Sequence, residues 1–90
     1  MTTITVTAEH IANGNAASCT ECPVALAISD GIPEATGAYV TQLFVILHRG
    51  NDQLAKIRTP HSAVTFINDL TNQKRVAPFS FDLDYPEVTA

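Results

Sequence analysis

The amino-acid sequence predicts an α+β fold, in which residues 1–90 form one two-layer domain. Two or three helices are expected to cover one face of a small, mainly antiparallel sheet of about four strands. Apolar and polar residues alternate at both ends of the chain, which indicates strands. Two apolar segments begin with proline and have helical spacing, and a central apolar run precedes a turn, which indicates a hairpin. The expected order is β-α-α-β-β-α-β, with the first and last strands as neighbours.

The first strand and a short helix are predicted at the N-terminus. Ile4 and Val6 alternate with threonines, a pattern typical of a strand rich in β-branched residues. Thr7 is suited to cap a brief helix over Ala8–Ala12. Asn13–Asn15, with glycine at its centre, then ends that helix.

The second helix has the clearest boundary signals of the chain. Thr20 or Cys22 is expected as the N-cap, and Pro23 lies in the first turn, where its missing N–H costs nothing. Gly31 is expected just beyond the helix end, and Pro33 prevents the helix from continuing. Little polar surface interrupts the segment between these signals, so we expect it to be mostly buried.

The centre of the chain predicts a hairpin. Residues Ala38–His48 form one predicted strand that is apolar on both faces, which is typical of a strand covered on both sides. Arg49–Asp52 has the composition of a hairpin loop. The return strand, Gln53–Arg58, is short and carries basic residues suited to a sheet edge.

A third helix and a last strand complete the prediction. Thr59 is expected as an N-cap followed by proline at the first helical position, and Pro60–Thr71 has the spacing of an amphipathic helix. Phe79–Tyr85 alternates strictly between apolar and polar residues, which is the clearest strand signal in the sequence.

Composition restricts the class of function. The chain has nine acidic and five scattered basic residues, for a net charge of −4, so we expect no direct nucleic-acid binding. No apolar run is long enough to span a membrane. The first residues lack a basic segment followed by an apolar one, which argues against a signal peptide. We therefore expect a small acidic cytoplasmic protein whose thiols stay reduced.

The segment Cys-Thr-Glu-Cys-Pro contains the most closely grouped reactive side chains, Cys19 and Cys22. A thiolate near a helix N-terminus is stabilised by exposed N–H groups, so its pKa is expected to fall. The pair has three interpretations: a thiol-redox motif, half of a zinc site, or a buried Cys22 with Cys19 in a loop. Zinc would need ligands from His10, His48 and His61, which lack the usual close spacing. We favour the packing interpretation and expect no metal, no cofactor and no catalytic residue.

A partner-binding surface is predicted on the central strand. Leu43, Val45 and Leu47 are predicted to share one face, and Val40, Phe44 and Ile46 the other. If helices cover only one face, the other needs a second copy of the chain or a protein partner. Alternatively, the N-terminal segment or the short helix folds back over it. Which of the two faces points outward is left open by the sequence.

Three segments carry a resemblance to a known group of proteins. Residues 4–11 are Ile-Thr-Val-Thr-Ala-Glu-His-Ile, residues 18–28 are Ser-Cys-Thr-Glu-Cys-Pro-Val-Ala-Leu-Ala-Ile, and residues 76–83 are Val-Ala-Pro-Phe-Ser-Phe-Asp-Leu. The pattern resembles small uncharacterised proteins encoded by actinobacteria and their tailed phages, with a CxxCP-[IV]-A-L-A helix and a terminal PFSF-[DE]-L strand. The resemblance implies a phage-associated, non-virion accessory protein and transfers no catalytic residue.

The combined expectation is a non-catalytic phage-type accessory protein of the host cytoplasm. Because small acidic domains without catalytic groups act by occupying surfaces, we expect it to inhibit or modulate a host protein. The alternative is a thiol-redox or zinc-binding protein that uses Cys19 and Cys22.

Overall fold

A computed structural model describes residues 2–15 and 18–85, which contain five strands and three helices. In chain order the elements are β1 (Thr2–Val6), α1 (Ala8–Asn13), α2 (Pro23–Gly31), β2 (Gly37–Val40), β3 (Phe44–Arg49), β4 (Asp52–Arg58), α3 (His61–Thr71) and β5 (Phe79–Leu83). The predicted α+β class is confirmed. The strand count is five rather than about four.

The strands form two antiparallel sheets. In the two-stranded sheet β1 pairs with β5, so that Ile4 lies opposite Phe81, which confirms that the first and last strands are neighbours. The three-stranded sheet has the order β2-β3-β4. Helix α2 packs against both β1 and β2, and side chains of all three elements belong to one apolar core that joins the two sheets.

The caps of the first two helices follow their local sequence. The His10 N–H donates to the Thr7 hydroxyl at 3.2 Å, and the Thr7 N–H donates to Nδ1 of His10 at 3.0 Å, so the two ends of the first turn cap each other. Of the two N-caps predicted for α2, the structure has Cys22, whose Sγ accepts from the Ala25 N–H at 3.4 Å. Gly31 is the last residue of α2 rather than the residue beyond it.

The prediction of one continuous strand over Ala38–His48 is wrong. The segment is two strands, β2 and β3, separated by a turn over residues 41–43. The Thr41 hydroxyl accepts from the N–H groups of Phe44 at 2.9 Å and Leu43 at 3.2 Å, which reverses the chain without glycine or proline. The hairpin that follows is tighter than predicted, because Arg49 pairs with Asp52 and only two residues form the loop.

The start of α3 also differs from its prediction. Its N-cap is Pro60, which makes no side-chain capping bond, and the helix begins at His61. Thr59 does not cap the helix because its hydroxyl donates instead to the Thr41 carbonyl at 2.8 Å. Thr59 thus ties the end of β4 to the turn between β2 and β3.

One apolar core lies between α2 and the inward faces of both sheets. Its largest fully buried side chains are those of Ile4, Val6, Pro23, Val24, Ile28, Ile32, Val45, Leu47 and Leu83. An aromatic row extends it: the ring centroids of Phe66 and Phe79 are 4.7 Å apart, and those of Phe79 and Phe81 are 5.6 Å apart. These contacts fix α3 against β5. Within the described ranges, no helix has the length and apolar character needed to cross a bilayer.

Candidate interaction surface

Two of the three residues predicted to bind a partner lie on the inward face of the central hairpin. Val45 and Leu47 are 0% exposed and belong to the same core as α2, so their prediction as surface residues is wrong. Leu43 is 70% exposed, but it lies in the turn before β3 and not on the strand face of the other two. The turn over residues 41–43 removes Leu43 from the alternation that the sequence suggested.

The opposite side of the three-stranded sheet is open, and it defines a different candidate surface. Strand register places Tyr39, Ile46 and Lys56 in one cross-strand row and Phe44 beside Arg58 in the next. His48 lies opposite Gly37, where a Cβ atom would come within 2.7 Å of the imidazole. We call this set the outer face: Tyr39, Phe44, Ile46, His48, Lys56 and Arg58.

Large hydrophobic side chains are exposed on and beside the outer face. Tyr39 is 43% exposed and Phe44 is 40% exposed, and Leu43 adjoins Phe44 in the preceding turn. The Lys56 Nζ lies 4.3 Å from the centroid of the Phe44 ring, a cation–π contact that holds the ammonium over the sheet. Single exposed hydrophobic residues need no explanation, whereas several on one face indicate an interaction surface.

The charge of the outer face differs in sign from that of the whole chain. The protein has nine acidic and five basic residues. Lys56 and Arg58 are on the outer face, and no residue of that face carries a carboxylate. A locally positive surface on an acidic protein favours association with an acidic partner.

A cleft next to the outer face extends it toward α3. Its volume is about 490 Å³, and its lining includes Leu43, Arg58, His61 and Val64. Arg58 therefore borders both the sheet surface and the cleft. The amide of the neighbouring Gln42 donates to the Asn68 side-chain carbonyl, which attaches the turn to α3 and shapes the cleft wall.

The two cysteines have different environments, and one expectation about them is wrong. Burial raises the pKa of the Cys22 thiol, and the N–H donors at the start of α2 only partly oppose that effect. The helix N-terminus therefore does not produce a reactive thiolate at Cys22. Cys19 is half-buried, and both thiols are free.

Cys19 borders the outer face. Its carbonyl accepts from the Val40 N–H at 2.8 Å, so the cysteine loop covers that end of β2. The pKa of the Tyr39 hydroxyl is raised, and hydrogen bonding to the neighbouring Cys19 side chain is the main cause.

The three histidines lie on separate elements and do not join the cysteines. His10 caps α1 and has its Nε2 2.6 Å from an Asp30 carboxylate oxygen, His48 lies over Gly37, and His61 begins α3. Among residues 2–15 and 18–85 there is no group of three or more histidine, cysteine or acidic side chains that could hold a metal. The candidate ligands of the zinc alternative are therefore not brought together in the described part of the chain.

Comparisons with models of protein families, with curated proteins and with solved structures gave no match. The chemistry of the outer face is therefore the basis for a functional proposal. Tyr39, Lys56 and Arg58 were not among the residues predicted to bind a partner. A signal was present, because Lys56 and Arg58 alternate along β4 and so mark the solvent side of that strand.

Proposed function

We propose that this protein is a small non-catalytic accessory protein of the phage type, which binds a host protein through its outer face and thereby inhibits or modulates it. The observation that carries the proposal is the exposure of Tyr39 and Phe44 on one sheet face, with Lys56 and Arg58 on the same face of the adjoining edge strand β4. The phage association is what the resemblance of the cysteine helix and the terminal strand implies.

The composition of the outer face supports binding. Tyrosine, phenylalanine and arginine are enriched in the centres of protein interfaces, because they bury large areas with few rotatable bonds or pair with planar acceptors. Tyr39 and Phe44 are attached to a rigid three-stranded sheet, so they lose little entropy on association. The Phe44 ring is further restrained by the Lys56 ammonium.

The alternative function, a thiol-redox or zinc-binding protein, has less support. A dithiol catalyst needs an exposed thiol of low pKa, whereas Cys22 is buried and its pKa is raised. A zinc site would need ligands in addition to Cys19 and Cys22, and the described histidines lie elsewhere.

The proposal is tested by capture from an actinobacterial lysate with the immobilised protein and two charge variants. Phe44→Glu places a carboxylate on the outer face at a position that is already 40% exposed, so the domain should stay folded and lose its captured partner. Thr5→Glu makes the same kind of change at an exposed strand position of the other sheet and should retain the partner. Thermal denaturation checks that both variants are folded. Equal capture by the two folded variants would refute the outer face as the binding surface.

A further inference from the structure

We propose that the partner contributes an acidic, extended segment that pairs with the open edge of β4. This inference rests on the proposed function, because it names the chemistry of the partner that the outer face would bind. It requires three properties of β4: a free edge, a positive charge at the correct spacing, and an apolar surface that an added strand would extend.

The free edge follows from the sheet order. β4 pairs with β3 on one side, and within the described residues no strand pairs with its other side. The opposite edge of the sheet is different, because the Val40 N–H of β2 already donates to the Cys19 carbonyl. An extended segment can therefore add to β4 through main-chain hydrogen bonds.

The charge pattern of β4 selects the partner. Lys56 and Arg58 are two residues apart, so both side chains lie on the outer face of the strand. A strand added beside β4 places every second side chain next to them, and opposite charges at such cross-strand positions stabilise pairing. Lysine on an edge strand also discourages pairing with strands that do not neutralise it. The added strand should therefore carry carboxylates at alternate positions.

The residues between those carboxylates should be apolar. Ile57 lies between Lys56 and Arg58, and it points inward and is 9% exposed at the margin of the core. The alternate side chains of an added strand would extend the core beyond Ile57. The predicted recognition pattern is thus acidic and apolar residues in alternation.

A second copy of this chain is a poorer occupant. In the symmetric register centred on Ile57, Lys56 of each β4 strand would lie opposite Arg58 of the other, and like charges across strands are destabilising. β5 carries Asp82 on an exposed face, but that carboxylate already accepts from the Thr3 hydroxyl at 2.8 Å. Pairing of β4 with β5 would also be head to tail and would not close into a dimer.

The test is a titration of the ¹⁵N-labelled protein with synthetic nine-residue peptides, followed by amide chemical shifts. One peptide alternates glutamate with valine, and two matched peptides replace glutamate with glutamine or lysine. We expect the glutamate peptide to shift the amides of β4 and to bind less tightly as salt rises. The glutamine peptide should bind weakly, and the lysine peptide should not bind.

Two charge-matched variants assign the binding to β4. The double substitution Lys56→Gln with Arg58→Gln should lower the affinity for the glutamate peptide about 2- to 30-fold, since two cross-strand ion pairs are lost. Lys74→Gln with Arg75→Gln removes the same charge from the exposed segment after α3 and should leave the affinity unchanged. An equal loss in both variants would mean that the net charge of the protein, and not the β4 edge, attracts the peptide.

Other outcomes also overturn the inference. Equal binding of the glutamate and glutamine peptides would show that acidic residues are not recognised. If none of the three peptides binds, the edge of β4 is not a binding site. Binding of single-stranded oligo(dT) on the outer face would assign that face to nucleic acid. Shifts of β4 amides with protein concentration alone would assign the edge to a second copy. If the peptide titrations fail in either of these ways, the proposed function still stands provided that Phe44→Glu abolishes capture of a partner from the lysate and Thr5→Glu does not.

Discussion

Truncating two leucines of the same hairpin should have very different effects on stability. Leu47 is fully buried in the central strand, and its cross-strand neighbours are Ala38 and Ala55. Leu47→Ala would therefore leave three alanines in a row, and neither neighbour is large enough to fill the space. Leu43 precedes the same strand and is 70% exposed, so Leu43→Ala is a matched control.

The size of the effect follows from how poorly the site can collapse. Leucine-to-alanine changes in cores cost about 2–5 kcal/mol, and the small neighbours place Leu47→Ala toward the upper end of that range, at about 3–5 kcal/mol. Leu43→Ala should cost less than about 0.5 kcal/mol, as is usual for surface changes. Because a domain of this size is stable by roughly 5–13 kcal/mol, the first variant should lose a large part of its stability.

The assay is urea unfolding followed by far-ultraviolet circular dichroism, with thermal unfolding as a second measurement. For a domain of this length the Leu47→Ala loss corresponds to a fall in Tm of roughly 12–40 °C. If both leucine variants unfold at the same urea concentration as the parent, the inward face of the hairpin has been assigned incorrectly. A larger loss of stability for Leu43→Ala than for Leu47→Ala would mean that the inward and outward sides of the hairpin are the reverse of those described.

Further predictions concern the thiols and two glycines. A thiol reagent should modify Cys19 in the folded protein and Cys22 only on unfolding, since Cys22 is buried; equal rates would contradict this. Elemental analysis of protein purified without chelator should find no zinc, and one zinc per chain would restore the metal alternative. Burial raises the pKa of Cys22 above 9.0, so the folded protein keeps a proton that the unfolded chain releases. The free energy of unfolding should therefore fall as pH rises above about 9, and Cys22→Ala should show a smaller fall over the same range. Gly14→Ala should destabilise by about 1–3 kcal/mol, because its Cβ would lie 2.6 Å from the rigid ring of Pro23. Gly37→Ala meets only an imidazole that can turn away, so a larger loss there than at Gly14 would be unexpected.

The ends of the chain could be predicted from local patterns. The alternation around Ile4 and Phe81 determines which side chains of β1 and β5 point inward, and the structure pairs these two residues. Helix α2 was equally clear, because Pro23 begins it and its apolar content requires burial. In these segments one local signal and the tertiary contacts agree.

The centre of the chain could not be predicted in the same way. The turn at Thr41 depends on hydroxyl-to-backbone hydrogen bonds, and threonine is also common in strands, so the segment contains no distinctive turn signal. The outward face of β3 depends on where α2 packs, because both of its faces are apolar. The partner-binding residues were therefore predicted at Val45 and Leu47, which are buried, whereas the exposed face of β3 carries Phe44.

The pairing of β1 with β5 has a consequence for synthesis of the protein on the ribosome. Thr2 lies opposite Leu83, so β1 is synthesised well before β5 and has no hydrogen-bonded strand partner until β5 has been made. The three-stranded sheet is complete in sequence by Arg58 and can form earlier. Closing such a distant contact costs chain entropy before any hydrogen bond is gained, which slows the final folding step. A chain truncated before Phe79 should therefore leave Ile4 and Val6 without their strand partner.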